Sequence, residues 1–430
     1  MLRLTDDEKA LLDGQQGKAR QKAMELLVRY AEALGAERFV DTHNVAGVPG
    51  SANAFLQSYY AARGEGAADA IFSHFDLDSD ELVEAPSVVV PSCHLQGGAD
   101  PLHWQTLGMA PALFAGHQAR EAFAARRGVQ ILKTCTPYLA GNVPVRGEHL
   151  AWMESSAVVY ANSVIGARTN TEGRESTSAA MLTGKIPDFG LHRDEGRVGT
   201  HHVVVEAQVE SVMDWGMLGY FIGDRVQEHV PVVVGCHARP DLVRLKHFGA
   251  AASSSGGVEL FHLVGVTPEA ETVEMAYRGR APEQTFAYGP AERRAVYEQL
   301  NSSAADPDVD IVLLGCPHAA LEQIAEAATL LAGKRISESC RLWVFTSRAI
   351  RSEADRAGYT QAIGAAGGVV MTDTCSAFAR AIPPGTKVVA LDSAKQAHYL
   401  PAILGVQAWF GATRDCIEAA LTGRWSGRCP

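Results

Sequence analysis

No two of the eight cysteines form a CxxC pair, and their positions (93, 135, 236, 316, 340, 375, 416 and 429) follow no regular spacing. A zinc ribbon, a thioredoxin-type motif and a disulfide framework therefore find no support. No apolar run approaches the ~18 residues that a membrane span needs. The N-terminus, MLRLTDDEKALL, has acidic residues where a secretory leader would carry a basic region and then an apolar stretch. Basic residues are outnumbered 38 to 49, giving a net charge of −11 with His neutral. That balance speaks against a general binder of nucleic acid, while leaving room for a small basic pocket. A cytoplasmic protein is expected, in a compartment where disulfides are rare.

What remains is ordinary globular composition, 47% hydrophobic and 20% charged over 430 residues. That length predicts two or three lobes. Thr5-Asp6-Asp7-Glu8 reads as a capping box. A helix is predicted over 18–34, with Ala23, Leu27, Ala31 and Leu34 at helical spacing and Gly35 as its stop. A short strand holds Phe39 and Val40, and a Gly/Pro/Asn-rich loop is expected over 41–55. Further along, helix 118–127 ends at Gly128 and strand 129–133 leads to Cys135. Strand 309–314 leads to Gly315-Cys316-Pro317-His318 and helix 318–332, and strand 369–372 leads to Asp373-Thr374-Cys375. More strands are expected at 231–235, 258–264, 342–346 and 387–391. This alternation predicts an α/β protein with parallel or mixed sheets flanked by helices. The expected lobes are 1–205, 206–285 and 286–430.

Ligands of such sheets bind at the carboxyl ends of the strands. Cys135, Cys316 and Cys375 each follow such an end. Cys416 lies in a helix among Ile417, Ala420 and Leu421, Cys429 is in the tail, and Cys340 precedes a strand. Cys93 and Cys236 each precede a His and read as buried thiols. Two readings stay open for the strand-end cysteines: small core residues, or thiolates that meet in space. Three thiolates suit an iron centre with one coordination position left open, and an open iron can act as a Lewis acid toward a substrate hydroxyl. Elimination of water follows if a base takes the neighbouring proton. The rival readings are a closed electron-transfer centre, a non-enzymatic iron–sulfur protein, and metal-free thiol catalysis.

The stretch after Cys135, TCTPYLAGNVPVRGEHLAWMESSAVVYANSVIGARTNTEG, packs polar groups beside small residues. It strongly resembles the large subunit of aconitase X. The likeness continues through GLH (190–192), LVGVTPEA (263–270), GCPHAALEQI (315–324), TSRA (346–349), DTC (373–375) and SAKQAHYLP (393–401). The resemblance implies an aconitase-like, multi-lobed fold and hydro-lyase activity. It also implies an iron centre on Cys135, Cys316 and Cys375: a 2Fe-2S or 4Fe-4S cluster, or mononuclear iron. In that family a small swivel domain is either fused behind the large part or encoded separately. This chain ends soon after its last α/β unit, so a separate small subunit carrying the swivel domain and a catalytic serine is expected.

Candidate residues follow from their positions. Arg168 with Asn170 could grip a substrate carboxylate, and Ser155 and Ser156 could donate hydrogen bonds or cap a helix. Glu154 and Glu148 are acid/base candidates, and His149 and His318 lie a short reach from the cysteine motifs. Lys395 and His398 share a helical face, with Lys395 able to neutralise substrate charge. Gly50 and Ser51 could approach a substrate through their amides. The family's substrates are cis-3-hydroxy-L-proline and mevalonate 5-phosphate. No glycine-rich helix start or Lys/Arg run marks a phosphate site, and the Lys/Glu enrichment of many hyperthermophiles is missing. Both features favour cis-3-hydroxy-L-proline.

Overall fold

The computed structural model describes residues 1–48, 83 and 85–429. Gly50 and Ser51 lie outside the described residues. Among the described residues the chain builds four sheets. The N-terminal part holds β1 (Phe39–Asp41), β2 (Asn44–Gly47), β3 (Ser92–His94), β4 (Leu150–Trp152) and β5 (Lys185–Pro187). β1 and β5 pair antiparallel, while β3-β2-β4 form a parallel three-stranded sheet. The middle part is a parallel four-stranded sheet in the order β8-β7-β6-β9, from β6 (His201–Val205), β7 (Pro231–Val234), β8 (His262–Leu263) and β9 (Gln284–Tyr288). The C-terminal part holds a parallel five-stranded sheet in the order β12-β11-β10-β13-β14. Its strands are β10 (Ile311–Leu314), β11 (Arg341–Thr346), β12 (Val369–Thr372), β13 (Val388–Leu391) and β14 (Gln407–Phe410).

The local signals at the N-terminus act as their chemistry dictates. Thr5 accepts from the Glu8 amide at 3.3 Å, and the Glu8 carboxylate accepts from the Thr5 amide at 2.8 Å. Gly35 takes a left-handed conformation at the end of the helix Lys18–Leu34. One large core runs through all three parts, from Ala46 to Phe410, and includes Trp152, Trp215 and Trp343. Its burial is the main source of cohesion between the sheets. No helix among the described residues is long and apolar enough to cross a membrane.

Four local expectations change. Residues 129–133 do not form a strand: Gln130 makes one isolated bridge to Cys93, and Lys133 turns the chain at φ +49°. The helix preceding them starts at Pro111, where a proline's missing N–H costs nothing. The expected loop over 41–55 contains β2, the fully buried centre of a sheet. The strand expected over 258–264 shrinks to His262–Leu263.

Candidate active site

Chain segments after five parallel strands converge on one cavity of about 240 Å³. β10 delivers Cys316 and His318, β12 delivers Cys375, and β13 delivers Lys395 and Gln396 at the start of the helix Ala394–Leu404. β3 delivers Gln96, and β4 delivers Glu154 and Ser156 at the start of the helix Ser155–Tyr160. Cys135 reaches the same cavity from the turn that replaces the expected strand. The turn after β10 demands a glycine: Gly315 has φ +90°, and a Cβ there would stand 2.1 Å from the Phe345 carbonyl oxygen.

Each of the three thiols has a hydrogen-bond donor. The His318 amide donates to Cys135 Sγ at 3.2 Å, the Phe378 amide donates to Cys375 Sγ at 3.4 Å, and the Ser393 side chain donates to Cys316. Burial pushes all three thiols up to about 12, and the negative groups around them add to the effect. Such thiols stay protonated at neutral pH unless a cation displaces their protons. Donor type and N–H···S contacts therefore fit a thiolate-bound iron centre. Among the described residues, no group of three or more His, Cys, Asp or Glu side chains is drawn closely enough together to hold a single metal ion. The three thiols stand around the cavity wall instead.

Lys395 and Glu154 form a buried ion pair at 2.8 Å, with side chains only 15% and 21% exposed. Burial alone would favour the neutral form of each, but their mutual attraction outweighs it: Lys395 is held above its ordinary range and Glu154 below. Ser156 Oγ donates to Glu154 at 3.1 Å and steadies the carboxylate further.

His318 is fully buried, and burial pushes it down to about 4, so it is neutral. Its Nε2 lies 2.9 Å from the Thr374 carbonyl oxygen and must carry the proton; Nδ1 then accepts from Thr134 Oγ1 at 2.9 Å. The ring thus braces the residue before Cys135 against the residue before Cys375.

Other candidates lie elsewhere. His149 meets the His192 ring at 3.0 Å, and Arg168 is committed to the His192 carbonyl at 2.8 Å and to Asp194. Asn170 bonds the Phe189 carbonyl and the Leu191 amide. These three side chains bracket the segment 189–194 and do not line the cysteine cavity. His398 pairs with the Tyr220 hydroxyl at 3.0 Å, Ser155 is the first residue of its helix, and Glu148 accepts from the Val145 amide.

Sequence reading passed over three residues here. Gln396 is 1% exposed, lines the cavity and leaves both amide atoms unpartnered; Gln96 lines it too, with an unpartnered Oε1. Both stand at strand ends, the signal that could have found them. Lys246, from the helix Leu242–Gly256, has no sequence signal at all. Its buried ammonium donates to the carbonyls of Pro317 and His318 at 3.2 and 2.9 Å and to Gln323 Oε1, clamping the turn behind Cys316. Burial lowers it to about 8. Lys246→Met strands those buried acceptors, each worth about 1–3 kcal/mol. Urea unfolding of that variant should show a loss of about 3 kcal/mol or more; a loss below about 1 kcal/mol would remove the clamp assignment.

Models of the aconitase X first, second and third domains match residues 1–195, 199–298 and 309–422. The phosphomevalonate dehydratase large subunit of Methanothermobacter thermautotrophicus is 40% identical over 410 residues, covering 93% of this chain and 94% of that protein. The corresponding large subunit of Methanocaldococcus jannaschii is 36% identical, covering 98% and 100%. The cis-3-hydroxy-L-proline dehydratase of Pseudomonas aeruginosa is 34% identical over 427 residues, covering 98% of this chain and 70% of that protein. A crystal structure of aconitase X from Thermococcus kodakaraensis, in its holo-form, superposes with a TM-score of 0.79 at 31% identity, covering 97% and 100%.

Proposed function

The chain belongs to the aconitase X family, and on that premise we propose that it is the iron-holding large subunit of a dehydratase acting on a small hydroxy acid. One observation carries the reading: Cys135, Cys316 and Cys375 share a cavity with the Lys395–Glu154 ion pair and two unpartnered glutamine amides. Cys135, Cys316 and Cys375 would hold the iron centre. When bound, such a centre supplies Lewis acidity toward the substrate hydroxyl.

The chain's own residues do the rest of the holding. Lys395 keeps its charge at neutral pH and offers it to the substrate carboxylate. Glu154, kept ionised by Lys395 and Ser156, orients that ammonium. Gln96 and Gln396 have hydrogen-bonding capacity that the protein leaves unused, and a bound substrate satisfies it. The C–O bond to the hydroxyl and the C–H bond on the adjacent carbon break as the C=C bond forms, and the hydroxide together with the proton taken by a base makes up the water that is lost. His318 is not available as that base, since both of its ring nitrogens are engaged. A partner subunit bearing a serine, as the family resemblance implies, supplies the base.

Identity favours mevalonate 5-phosphate as the substrate, at 40% and 36% to the phosphomevalonate dehydratases. The second reading, cis-3-hydroxy-L-proline, draws on 34% identity across 98% of the chain. The test is anaerobic co-purification with the small subunit, iron and sulfide analysis, and water elimination assayed with both substrates. Iron together with turnover of one substrate supports the reading. A preparation without iron, or an iron-loaded one inert toward both, would end it.

A further inference from the structure

Two of the three cysteines follow matching turns. Lys133-Thr134-Cys135 belongs to the N-terminal part and Asp373-Thr374-Cys375 to the C-terminal sheet. In each, the residue two places before the thiol takes a left-handed backbone, Lys133 at φ +49° and Asp373 at φ +70°. Neither is a glycine, so each turn persists only where its surroundings hold it. Both residues are buried, Lys133 at 5% and Asp373 at 1% exposure.

The two side chains end in one chain of alternating charges. Arg348 opens the helix Arg348–Arg356 just past β11, where the Ser347 side chain caps it. Its Nε donates to both Asp373 carboxylate oxygens at 2.9 Å, and its Nη2 donates to Asp373 as well. The same Nη2 donates to both Glu121 oxygens, at 3.0 and 3.1 Å. Glu121 comes from the helix Pro111–Arg126 of the N-terminal part and stands 3.8 Å from Lys133 Nζ. Lys133 and Asp373 also attract each other directly. The order Lys133, Glu121, Arg348, Asp373 thus runs from one turn to the other. The strip after β3 is threaded between them: the Lys133 amide donates to the His94 carbonyl at 2.8 Å, and the Gly97 amide donates to the Asp373 carbonyl at 2.7 Å. A Cβ on Gly97 would stand 2.8 Å from Lys133 Nζ, so this close approach needs glycine.

His318 already joins Thr134 to Thr374 beside the cysteines. One link fixes a distance but lets two turns pivot about it; a second link, displaced from the first, removes that freedom. Lys133, Glu121 and Arg348 meet that need, since they line a separate cavity of about 370 Å³ and not the cysteine cavity. Resting on the dehydratase reading, we infer that Arg348 is a positioning residue for the iron centre: through Asp373 and Glu121 it sets the spacing of Cys135 and Cys375. A bound centre demands ligands at fixed separations, and groups that orient ligands from behind are worth about 10–100-fold in metal affinity. Arginine suits the task because one planar fork reaches both carboxylates at once, which an ammonium cannot match. The TSRA stretch thereby acquires a role, although its arginine stays out of the cysteine cavity.

The test uses the holo two-subunit enzyme and the variants Arg348→Met and Arg348→Lys. Arg356→Met, whose exposed side chain pairs with Glu353, is the control on the same helix. Two quantities are read: the half-life of bound iron under excess chelator, and the rise in melting temperature that iron confers on the apo protein. In Arg348→Met the half-life should fall about 10-fold or more and the iron-dependent rise should shrink. Arg348→Lys should lie between, and Arg356→Met should match the wild type. A purely structural tie would lower the melting of apo and holo forms alike and leave the half-life unchanged. A fall of less than about threefold, or an equal fall in Arg356→Met, overturns the assignment. Should Arg348→Met fail to fold, Glu121→Gln, which keeps the shape but breaks the alternation, is read by the same thresholds. A wild type that takes up no iron would end the dehydratase reading and not this one. The spacing is then read on the apo protein as the yield of the Cys135–Cys375 cross-link formed by dibromobimane and mapped by mass spectrometry. A yield lower by about threefold or more in Arg348→Met keeps the tie, and a smaller change, or no product in the wild type, removes it.

Discussion

Cys316→Ser will give a folded chain that retains no iron centre and has no measurable dehydratase activity, and Cys135→Ser and Cys375→Ser will behave alike. Lewis-acid activation supplies several kcal/mol of barrier lowering, so turnover should fall by roughly 10³-fold or more. Equivalence among the three variants is the discriminating feature. Thiol catalysis without metal needs one nucleophile and would leave two of the variants active. Iron content decides the matter: unchanged iron in all three would remove the centre from these residues. A pH effect follows from the same thiols. Each is pushed up to about 12, so iron uptake by the apo chain displaces protons and must weaken as pH falls. Titrating iron into apo protein in mildly acidic and mildly alkaline buffers measures that dependence.

The second large effect belongs to the ion pair. Lys395→Met leaves the Glu154 carboxylate buried without its cation, which costs about 3–5 kcal/mol of stability. Turnover should fall roughly 10²–10⁴-fold, the range for losing a positioned charged group. The sign of the pH dependence is fixed by the folded state. The Glu154 carboxyl is depressed, so its contribution is present above the ordinary carboxylate range and is lost as pH falls through its lower folded value. The double variant Lys395→Met/Glu154→Leu separates the roles. Stability should recover, because both charges are gone, while activity should not. Recovery of activity in the double variant would show that the pair serves only the fold.

Much of this site was legible from strand-end positions. Cys316, Cys375 and Lys395 follow strands of a parallel sheet, and the end of such a strand is where the fold puts chemistry. Cys135 reaches the cavity although the strand expected before it is absent; the His318 amide and the Thr134–His318 bond place it there. Arg168, Asn170 and His149 lie in the same polar stretch, yet they turn toward 189–194. Sequence shows that a segment is polar but not which way each side chain points. Lys246 was beyond reach for a related reason, since its partners lie more than 70 positions away.

His318 gives the three thiols a temporal order. Cys135 belongs to the part of the chain made first, whereas Cys316 and Cys375 belong to the part made last, and the imidazole cross-links the residues preceding Cys135 and Cys375. During synthesis the iron-receiving surface is therefore incomplete until the five-stranded sheet has closed against the N-terminal part. If these thiols hold iron as proposed, the metal enters late and locks a docking that the backbone has already made. Starved of iron, the chain should accumulate as a nearly native apo form whose parts separate more readily, and limited proteolysis between the sheets would be its signature.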